Sequence, residues 1–451
     1  FAFRDLKDAP LLMTTICRHW RRVAIDTPML WSSLHIHLPS HLSEEVASQR
    51  TTGMSLWLER SATLPISISF HGSSRYNEST PTEFVVGVAE KNLQLRSSKN
   101  MRSFMQSLQR FYHRIRRLHL CLSPEDFRML NSFLQPSTSF PALISLKLDN
   151  YSYSHTELVL PSLFLEFFKV SRMPALRSIE FNQGSGWPDA GNSTDGWPMN
   201  ILISQYMPLS FLYSIVMQNQ LLQSLQIGLS ITTEDNISLP TVGTLSTLTH
   251  LTSLSLDLQT DFQSQDPMDM MYSRMSPMFS LMDSPSLKSL YVRYNTDISL
   301  APQPPFHVMS WTNLETLGLH FPLTPEALTD CLMSVPNITS LHFVDMGNMD
   351  DLDSHCITTI LQDTHLYRLG LPAGNPSSLC PKLRHIRMID YESWSSTALA
   401  DFLEARVRSK ALDSFDFLSY KPMQSFLEPQ LGRFVRLKEE WGLKLHLHQR
   451  F

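Results

Sequence analysis

Leu251-Thr-Ser-Leu254-Ser-Leu256 is one copy of a pattern that recurs along this chain: an apolar residue, two others, a second apolar residue, one other, and a third apolar residue. Eleven copies recur at intervals of about 30 residues, a period typical of a solenoid in which stacked repeats share one continuous core. The first apolar residues of the copies are Ile115, Leu143, Leu176, Leu222, Leu251, Leu287, Leu314, Ile338, Leu366, Leu383 and Leu412. Because a solenoid presents a long open surface, the repeat favours recognition of another macromolecule over catalysis.

Each copy ends in an alternation of apolar and other residues, which predicts a short strand with one buried face. Several copies are preceded by a helical pattern, clearest where Thr324 and Pro325 provide an N-cap and a first helical residue. Helices are also predicted over residues 124–134, 161–170, 353–361 and 396–407. A helix followed by a strand in each repeat predicts an α/β solenoid, with parallel strands on its concave side and helices on its convex side.

Two intervals depart from the mean step. Between Leu176 and Leu222, the Gly-, Ser- and Asp-rich run 182–196 predicts an exposed loop. The interval from Leu366 to Leu383 is too short for a helix of ordinary length, so a loop through residues 372–376 is predicted there.

Composition narrows the class of protein. The chain has 451 residues, 42% of them hydrophobic, and a formal net charge of -5, so no general excess of positive charge is present to bind nucleic acid. No stretch approaches the length of a membrane span, and no secretory signal opens the chain. The five cysteines form no C-x-x-C pair and are predicted to be reduced, buried thiols of an intracellular protein.

Residues 11–38 differ from the repeats. Apolar residues at helical spacing predict a helix with one apolar stripe, and three arginines lie mostly off that stripe. A second helix is predicted to begin at Thr27 and Pro28. The members of the stripe are Leu12, Ile16, Trp20 and Val23, and the arginines are Arg18, Arg21 and Arg22.

The run Cys17-Arg-His-Trp20-Arg-Arg-Val-Ala24, followed by Thr27-Pro28-Met-Leu30-Trp31-Ser32, resembles the second half of the F-box in proteins of mushroom-type fungi. Segments 56–61, 64–68 and 111–120 are similar to later parts of those proteins, and 440–447 is similar to their closing strand. With degenerate leucine-rich repeats between, the resemblance covers nearly the whole chain. It implies a partial F-box over residues 1–38, its first helix absent or truncated, and a leucine-rich-repeat-like solenoid over 39–451.

The resemblance implies a non-catalytic substrate-recognition subunit of a Skp–cullin–F-box ubiquitin ligase in the cytoplasm or nucleus. Its partners would be a Skp-family adaptor, the cullin ligase and an unknown protein substrate, with neither nucleic acid nor membrane involved. The residues that the resemblance places against the adaptor are Leu11, Leu12, Ile16, Trp20, Pro28, Leu30 and Trp31. The alternative is a leucine-rich-repeat protein-binding scaffold without ligase association.

Residues between and after the apolar positions of each strand are predicted to face away from the core. Among them, an aromatic and arginine pair is the kind of group that anchors protein interfaces. The predicted substrate-binding residues are Tyr291, Arg293, His320, His342 and Arg387. The alternative is a solvated sheet face, with the real contact on loops or termini.

Other chemistry finds little support in the sequence. His35-x-His37 and His446-x-His448 each place two imidazoles on one strand face, but no third ligand lies nearby in sequence, and solvent-facing histidines are the simpler interpretation. No Gly-x-Ser-x-Gly elbow and no phosphate-binding glycine loop is present. We therefore expect neither a metal, nor a cofactor, nor enzymatic activity.

Overall fold

A computed structural model describes most of the chain in two compact units, Phe1–Gln205 and Tyr206–Phe451. The described residues are 10–38, 42–72, 99–122, 138–150, 173–182, 199–231, 246–260, 274–276, 279, 282–294, 312–320, 323–343, 361–389, 395–419 and 430–449. No helix in these ranges is both long and apolar enough to cross a membrane.

The first unit holds a parallel sheet whose strands follow one another in chain order. A 3₁₀ turn, Pro28–Trp31, leads into the first strand, and residues 99–109 form a helical segment before the third. The strands are β1 (Ser33–His37), β2 (Ile66–His71), β3 (Ile115–Leu122), β4 (Ser145–Asn150), β5 (Ser178–Asn182) and β6 (Asn200–Pro208), the last running past Gln205. The helices are α1 (Leu11–Ile16), α2 (Arg18–Ile25) and α3 (Glu44–Arg60).

The second unit is built in the same way, with parallel strand pairs in the order β7-β9-β11-β12-β13-β14-β15-β16. The strands are β7 (Ser224–Ile231), β8 (Ser246–Thr247), β9 (Ser253–Thr260), β10 (Met282–Asp283), β11 (Ser289–Tyr294), β12 (Thr316–His320), β13 (Ser340–His342), β14 (His385–Ile389), β15 (Ser414–Ser419) and β16 (Lys444–Gln449). The helices are α4 (Leu209–Gln218), α5 (Pro325–Ser334), α6 (Asp363–Gly370), α7 (Ser396–Arg408) and α8 (Leu431–Glu439). β8 and β10 pair separately from the main sheet.

The repeated apolar residues form the core, as the pattern predicts. In the copy at Leu251, the three leucines are at most 1% exposed, whereas Ser253 and Ser255, which alternate with them, are partly exposed. The chain is therefore an α/β protein with a large amount of parallel sheet, and the addition of strands in chain order is compatible with a solenoid-like arrangement.

A β-turn opens many of the repeats and fixes the position of the strand that follows. The backbone N–H of the first apolar residue donates to the carbonyl three residues earlier, as from Leu143 to Phe140 and from Leu287 to Ser284, each at 3.1 Å. Among the described turns, proline occupies the second position in five, where its fixed φ suits the turn. These prolines are Pro141, Pro174, Pro285, Pro336 and Pro381.

One copy of the repeat was predicted wrongly. Leu366-x-x-Leu369-x-Leu371 lies in helix α6 and its end, not in a strand. Leu366 and Leu369 are fully buried because residues three apart share a helical face. The next strand is β14, after a loop through residues 371–384, so the short interval before Leu383 is explained without a missing crossover.

The sequence also missed β6 and α4, which lie in the long interval between Leu176 and Leu222. The predicted loop 182–196 and the helices predicted over 124–134, 161–170 and 353–361 fall almost entirely outside the described residues. The predicted domain boundary between residues 38 and 39 stays a prediction.

Two predicted helices are confirmed. Helix α5 begins at Pro325, and the hydroxyl oxygen of Thr324 accepts from the backbone N–H of Ala327 at 3.2 Å. Helix α7 begins at Ser396, one residue after a Ser395 cap of the same kind. In both, a hydroxyl satisfies a backbone donor that the first helical turn leaves unpaired.

Candidate recognition surfaces

The N-terminal apolar stripe does not lie on one helix. Cys17 adopts extended backbone angles, φ -160° and ψ 172°, and separates α1 from α2. The guanidinium Nε of Arg21 in α2 donates to the carbonyl of Thr14 in α1 at 2.8 Å, so the two short helices are joined across the break. The predicted second helix at Pro28 is a 3₁₀ turn, and Thr27 makes no side-chain cap.

All four members of the apolar stripe nevertheless face solvent. Leu12 is 41% exposed, Ile16 58%, Trp20 44% and Val23 37%. Exposed apolar side chains that form a contiguous patch mark interaction sites more often than scattered ones do. Three arginines of α2, Arg18, Arg21 and Arg22, are exposed as well.

The other predicted adaptor contacts are less accessible. Leu11, Pro28 and Leu30 are partly buried, and Trp31 is completely buried. The assignment of Trp31 as a direct contact is therefore corrected: its ring packs inside the first unit and cannot reach a partner.

Trp31 instead fixes the N-terminal element to the sheet. Its indole N–H donates to the carbonyl of Ala24 at the end of α2, at 2.7 Å. The ring meets Trp57 of α3 edge to face, with centroids 4.8 Å apart, and the guanidinium of Arg60 lies 4.6 Å from its centroid. Trp57 in turn donates to the carbonyl of Ser33 in β1 at 3.2 Å. A buried tryptophan with a satisfied N–H and a stacked cation is a strong anchor.

All five predicted substrate-binding residues lie on neighbouring strands of the second unit, in two rows set by the strand register. One row runs through Tyr291, Gly318, His342 and Arg387, and the next pairs Arg293 with His320. Because neighbouring strands lie about 4.8 Å apart, these side chains occupy a short stretch of one sheet face.

Tyr291 and His342 meet above the strand between them. The space over Gly318 is filled by the tyrosine ring, since a Cβ at Gly318 would lie 2.1 Å from Tyr291 Cδ1. The ring then meets His342 edge to face, with centroids 5.8 Å apart. Because Gly318 has no side chain, the Tyr291 ring can lie over β12 and contact His342, which fixes its orientation. A ring that is already fixed loses little entropy on contact with a partner, and this favours binding.

His342 is neutral near pH 7. Burial, assisted by the charge of Arg387, lowers the pKa of His342 to about 4. The Oγ of Ser340 lies 2.7 Å from His342 Nε2, while Nδ1 is buried and has no hydrogen-bond partner among the described residues. A serine beside an imidazole is the first contact of a catalytic triad, but in the part of the chain described no third group orients the ring.

The second row is more enclosed than predicted. His320 is only 5% exposed, so its assignment as a direct contact is corrected. Arg293 Nε lies 3.9 Å from Asp257 Oδ1, and the hydroxyl of Tyr206 donates to the other oxygen of that carboxylate at 3.2 Å. Arg293 therefore lies beside a carboxylate rather than standing alone.

The first row continues beyond Arg387, through Asp416 to His446. β16 adds His446 beside Asp416, and its Nδ1 lies 2.6 Å from Asp416 Oδ1. The alternation Leu443-x-Leu445-x-Leu447 was the available signal for this extra strand position.

The first unit carries a different set of polar side chains. His35 of β1, His71 of β2 and His119 of β3 lie in successive ring contact, and Lys147 pairs with Glu180 at 2.5 Å. Within the described residues, no group of three or more His, Cys, Asp or Glu has a geometry able to hold a metal ion. Among the described residues, His35 and His37 therefore have no third ligand with which to hold a metal ion.

Three of the cysteines are buried thiols, namely Cys121, Cys331 and Cys380. Burial raises the pKa of the Cys331 and Cys380 thiols to about 12, so they are unreactive near neutral pH. Cys17 is exposed, contrary to the prediction of burial for all five. Cys356 lies outside the described residues.

No protein-family model matches the sequence, and a comparison with curated proteins finds no match. The functional interpretation therefore rests on the residues and their arrangement.

Proposed function

We propose that this chain is a substrate-recognition subunit of a Skp–cullin–F-box ubiquitin ligase, with no chemistry of its own. The N-terminal element would dock on a Skp-family adaptor. The later sheet, as a leucine-rich-repeat-like solenoid with a concave strand face, would bind the protein to be ubiquitinated. The resemblance of residues 11–34 to an F-box is the sequence support for this proposal.

The observation that carries the proposal is the exposed apolar group Leu12, Ile16, Trp20 and Val23, on a helical element fixed to the sheet through Trp31. A docking element needs apolar side chains that stay exposed in the free protein, together with a firm attachment to the rest of the molecule. The neighbouring arginines give the surface a basic edge, which suits an adaptor surface with acidic residues at its rim.

The proposed substrate surface is centred on Tyr291, with His342 and Arg387 beside it. The Tyr291 ring is partly exposed and is held in place by His342, and the adjacent guanidinium of Arg387 can hydrogen-bond to a peptide. Arg293 and His320 support this surface from the more enclosed row.

The test is direct binding of a purified Skp-family adaptor to the full chain, measured by biolayer interferometry. We expect Trp20→Ala and Ile16→Asp to weaken binding at least about tenfold, since buried aromatic and aliphatic anchors dominate interface energies. The control is Tyr367→Ala, which removes another exposed apolar side chain, 69% exposed, from helix α6. Equal binding by all variants, or no binding by the unaltered chain, contradicts the proposal.

The alternative is a protein-binding scaffold without ligase association. It is favoured by the break at Cys17, because the apolar stripe is then divided between two short helices instead of lying on one. This alternative predicts that no Skp-family adaptor binds, while proximity labelling after proteasome inhibition recovers partners that are not stabilised by the inhibitor.

A further inference from the structure

Three histidines of the first unit lie in contact across three strands. The ring centroids of His35 and His71 are 4.6 Å apart, and those of His71 and His119 are 5.2 Å apart. We call these three residues the histidine cluster. They come from β1, β2 and β3, which are consecutive in the sheet of this unit, with His35 and His119 flanking Ser69 in register.

The groups around the cluster favour neutral rings over charged ones at two of its three members. His119 is hydrogen-bonded on both nitrogens, with Nδ1 3.0 Å from Ser69 Oγ and Nε2 2.5 Å from Asp149 Oδ2. The carboxylate of Asp149 is thus engaged at one end of the cluster, while His35 and His71 lie next to other imidazoles.

The remaining titratable or charged groups on the surrounding strands add no clear counter-charge. His37 follows His35 on β1, and Cys121 on β3 is buried. Lys147 on β4 is a cation that pairs with Glu180 on β5 at 2.5 Å. A proton added to His35 or His71 therefore enters a surface of imidazoles and a lysine, where the carboxylate of Asp149, already bonded to His119, offsets only part of the repulsion.

We propose that the histidine cluster makes the first unit proton-sensitive: protonation of His35 and His71 places like charges in ring contact and loosens β1 from β2. β1 is the terminal strand of that sheet in the part of the chain described, and it pairs with β2 through Ser33–His37. The device does not depend on the proposed ligase function.

The protonation behaviour of the rings agrees with this geometry. Burial, and then repulsion from His35 and His119, lowers the pKa of His71 from 6.5 to about 4. Burial also lowers the pKa of His35, with contributions from His119 and His37. A histidine whose folded-state pKa lies below its unfolded value takes up its proton more readily on unfolding. The contribution of the neutral His71 ring to the free energy of unfolding is therefore fully present above about pH 6.5 and is lost as the pH falls towards about 4.

The consequence reaches the N-terminal element. Trp31 lies two residues before β1 and holds Ala24 of α2. If β1 loosens, the position of the exposed apolar residues of α1 and α2 is no longer fixed. Acidification would thus act on the attachment of this element rather than on its surface.

The test combines two measurements on the full chain. Titration by NMR of ¹³C-labelled histidine, with His71→Gln for assignment, is expected to place the midpoint of His71 more than one pH unit below 6.5. Urea unfolding at pH 7 and at pH 5 gives the folding equilibrium constant of each variant. In the unaltered chain this constant is expected to fall between pH 7 and pH 5, and in His71→Gln the fall should be smaller by a factor on the order of ten.

His113→Gln is the matched control, because His113 is exposed in a 3₁₀ turn outside the cluster. It should keep the full pH effect. If His71→Gln does not fold, His35→Gln tests the same contact. A His71 midpoint near 6.5, or a pH effect that survives both cluster substitutions, overturns the proposal.

Discussion

At the scale of single residues, Gly318 shapes a surface by having no side chain. Tyr291 occupies the volume above it, and the two strands on either side are joined by the contact between Tyr291 and His342. Glycine within a strand is often the mark of such a close approach.

We predict that Gly318→Ala destabilises the protein by about 1–3 kcal/mol, because the new Cβ would overlap the Tyr291 ring and force it to move. Urea unfolding measures the loss. Gly432→Ala is the control: no atom lies within 4 Å of its added Cβ, and in helix α8 it should stabilise by up to about 1 kcal/mol. Removing the ring first, with Tyr291→Ala, should abolish most of the cost at Gly318, and an unchanged cost contradicts the steric explanation.

Arg406 is a buried guanidinium held by backbone oxygens. It is 1% exposed and donates to the carbonyls of Cys380 at 2.6 Å and Pro381 at 3.1 Å. Cys380 has a φ of 45°, an unusual value for a residue other than glycine. The arginine of α7 thus holds in place the turn that opens the next strand, β14.

We predict that Arg406→Ala costs about 3 kcal/mol or more, because two carbonyls lose a charged donor and a cavity forms. Arg406→Lys should recover little, since an ammonium group cannot reproduce the two-pronged contact. Arg408→Ala, on the same helix, removes a 65% exposed guanidinium paired with Glu404 and should cost under about 1 kcal/mol. Thermal unfolding distinguishes these outcomes, and similar losses for both alanine variants would contradict a special role for Arg406.

At the scale of elements, the apolar alternation predicted most of the strands, because a strand that buries one face must place apolar residues at every second position. It failed at Leu366 because the pattern is ambiguous. The spacing of three between Leu366 and Leu369 fits a helix, whereas the spacing of two between Leu369 and Leu371 fits a strand. The turn distinguishes the cases: Pro381 opens the strand at Leu383, whereas Gln362 caps a helix before Leu366. β6 and α4 were missed because they do not carry the repeated pattern.

Helix α5 offers a clear test of an element boundary. Thr324→Ala should cost about 1 kcal/mol, since the backbone N–H of Ala327 loses its acceptor. Thr324→Ser keeps the hydroxyl and should restore most of the stability. The measurement is chemical unfolding of both variants, and equal loss in the two would show that the methyl group, not the cap, is responsible.

Only part of the two candidate surfaces could be predicted from the sequence. The row of Tyr291, His342 and Arg387 follows from a side-chain period of two and parallel register. The burial of His320 and of Trp31 does not follow, because an aromatic side chain has an apolar body with a polar edge and suits either position. The break at Cys17 leaves no mark in the apolar spacing.

At the scale of the whole molecule, both units carry histidines whose protonation opposes folding. One of those in the second unit is His342, whose pKa is lowered to about 4 by burial and by the charge of Arg387. Because the folded-state pKa lies below the unfolded value, its stabilisation is present above about pH 6.5 and disappears towards about pH 4.

We predict that about 2 kcal/mol of unfolding free energy depends on His342 across this range, allowing for solvent screening. His342→Gln should flatten the pH profile of urea unfolding, while the exposed His250→Gln should not. A profile that stays as steep in His342→Gln as in the unaltered chain contradicts the assignment.

The turn at the start of each repeat has a consequence for how such a chain can evolve. The hydrogen bond that closes it spans four residues, so each strand takes its phase from its own turn and not from the length of chain before it. The interval from Leu287 to Leu314 is accordingly much shorter than that from Ile338 to Leu383, yet all these strands stay in register. A recombination that joins two turns in frame would delete or duplicate one repeat, and the strands on either side could still pair. Chains with different numbers of strands can therefore descend from one ancestor by exchange of whole repeats.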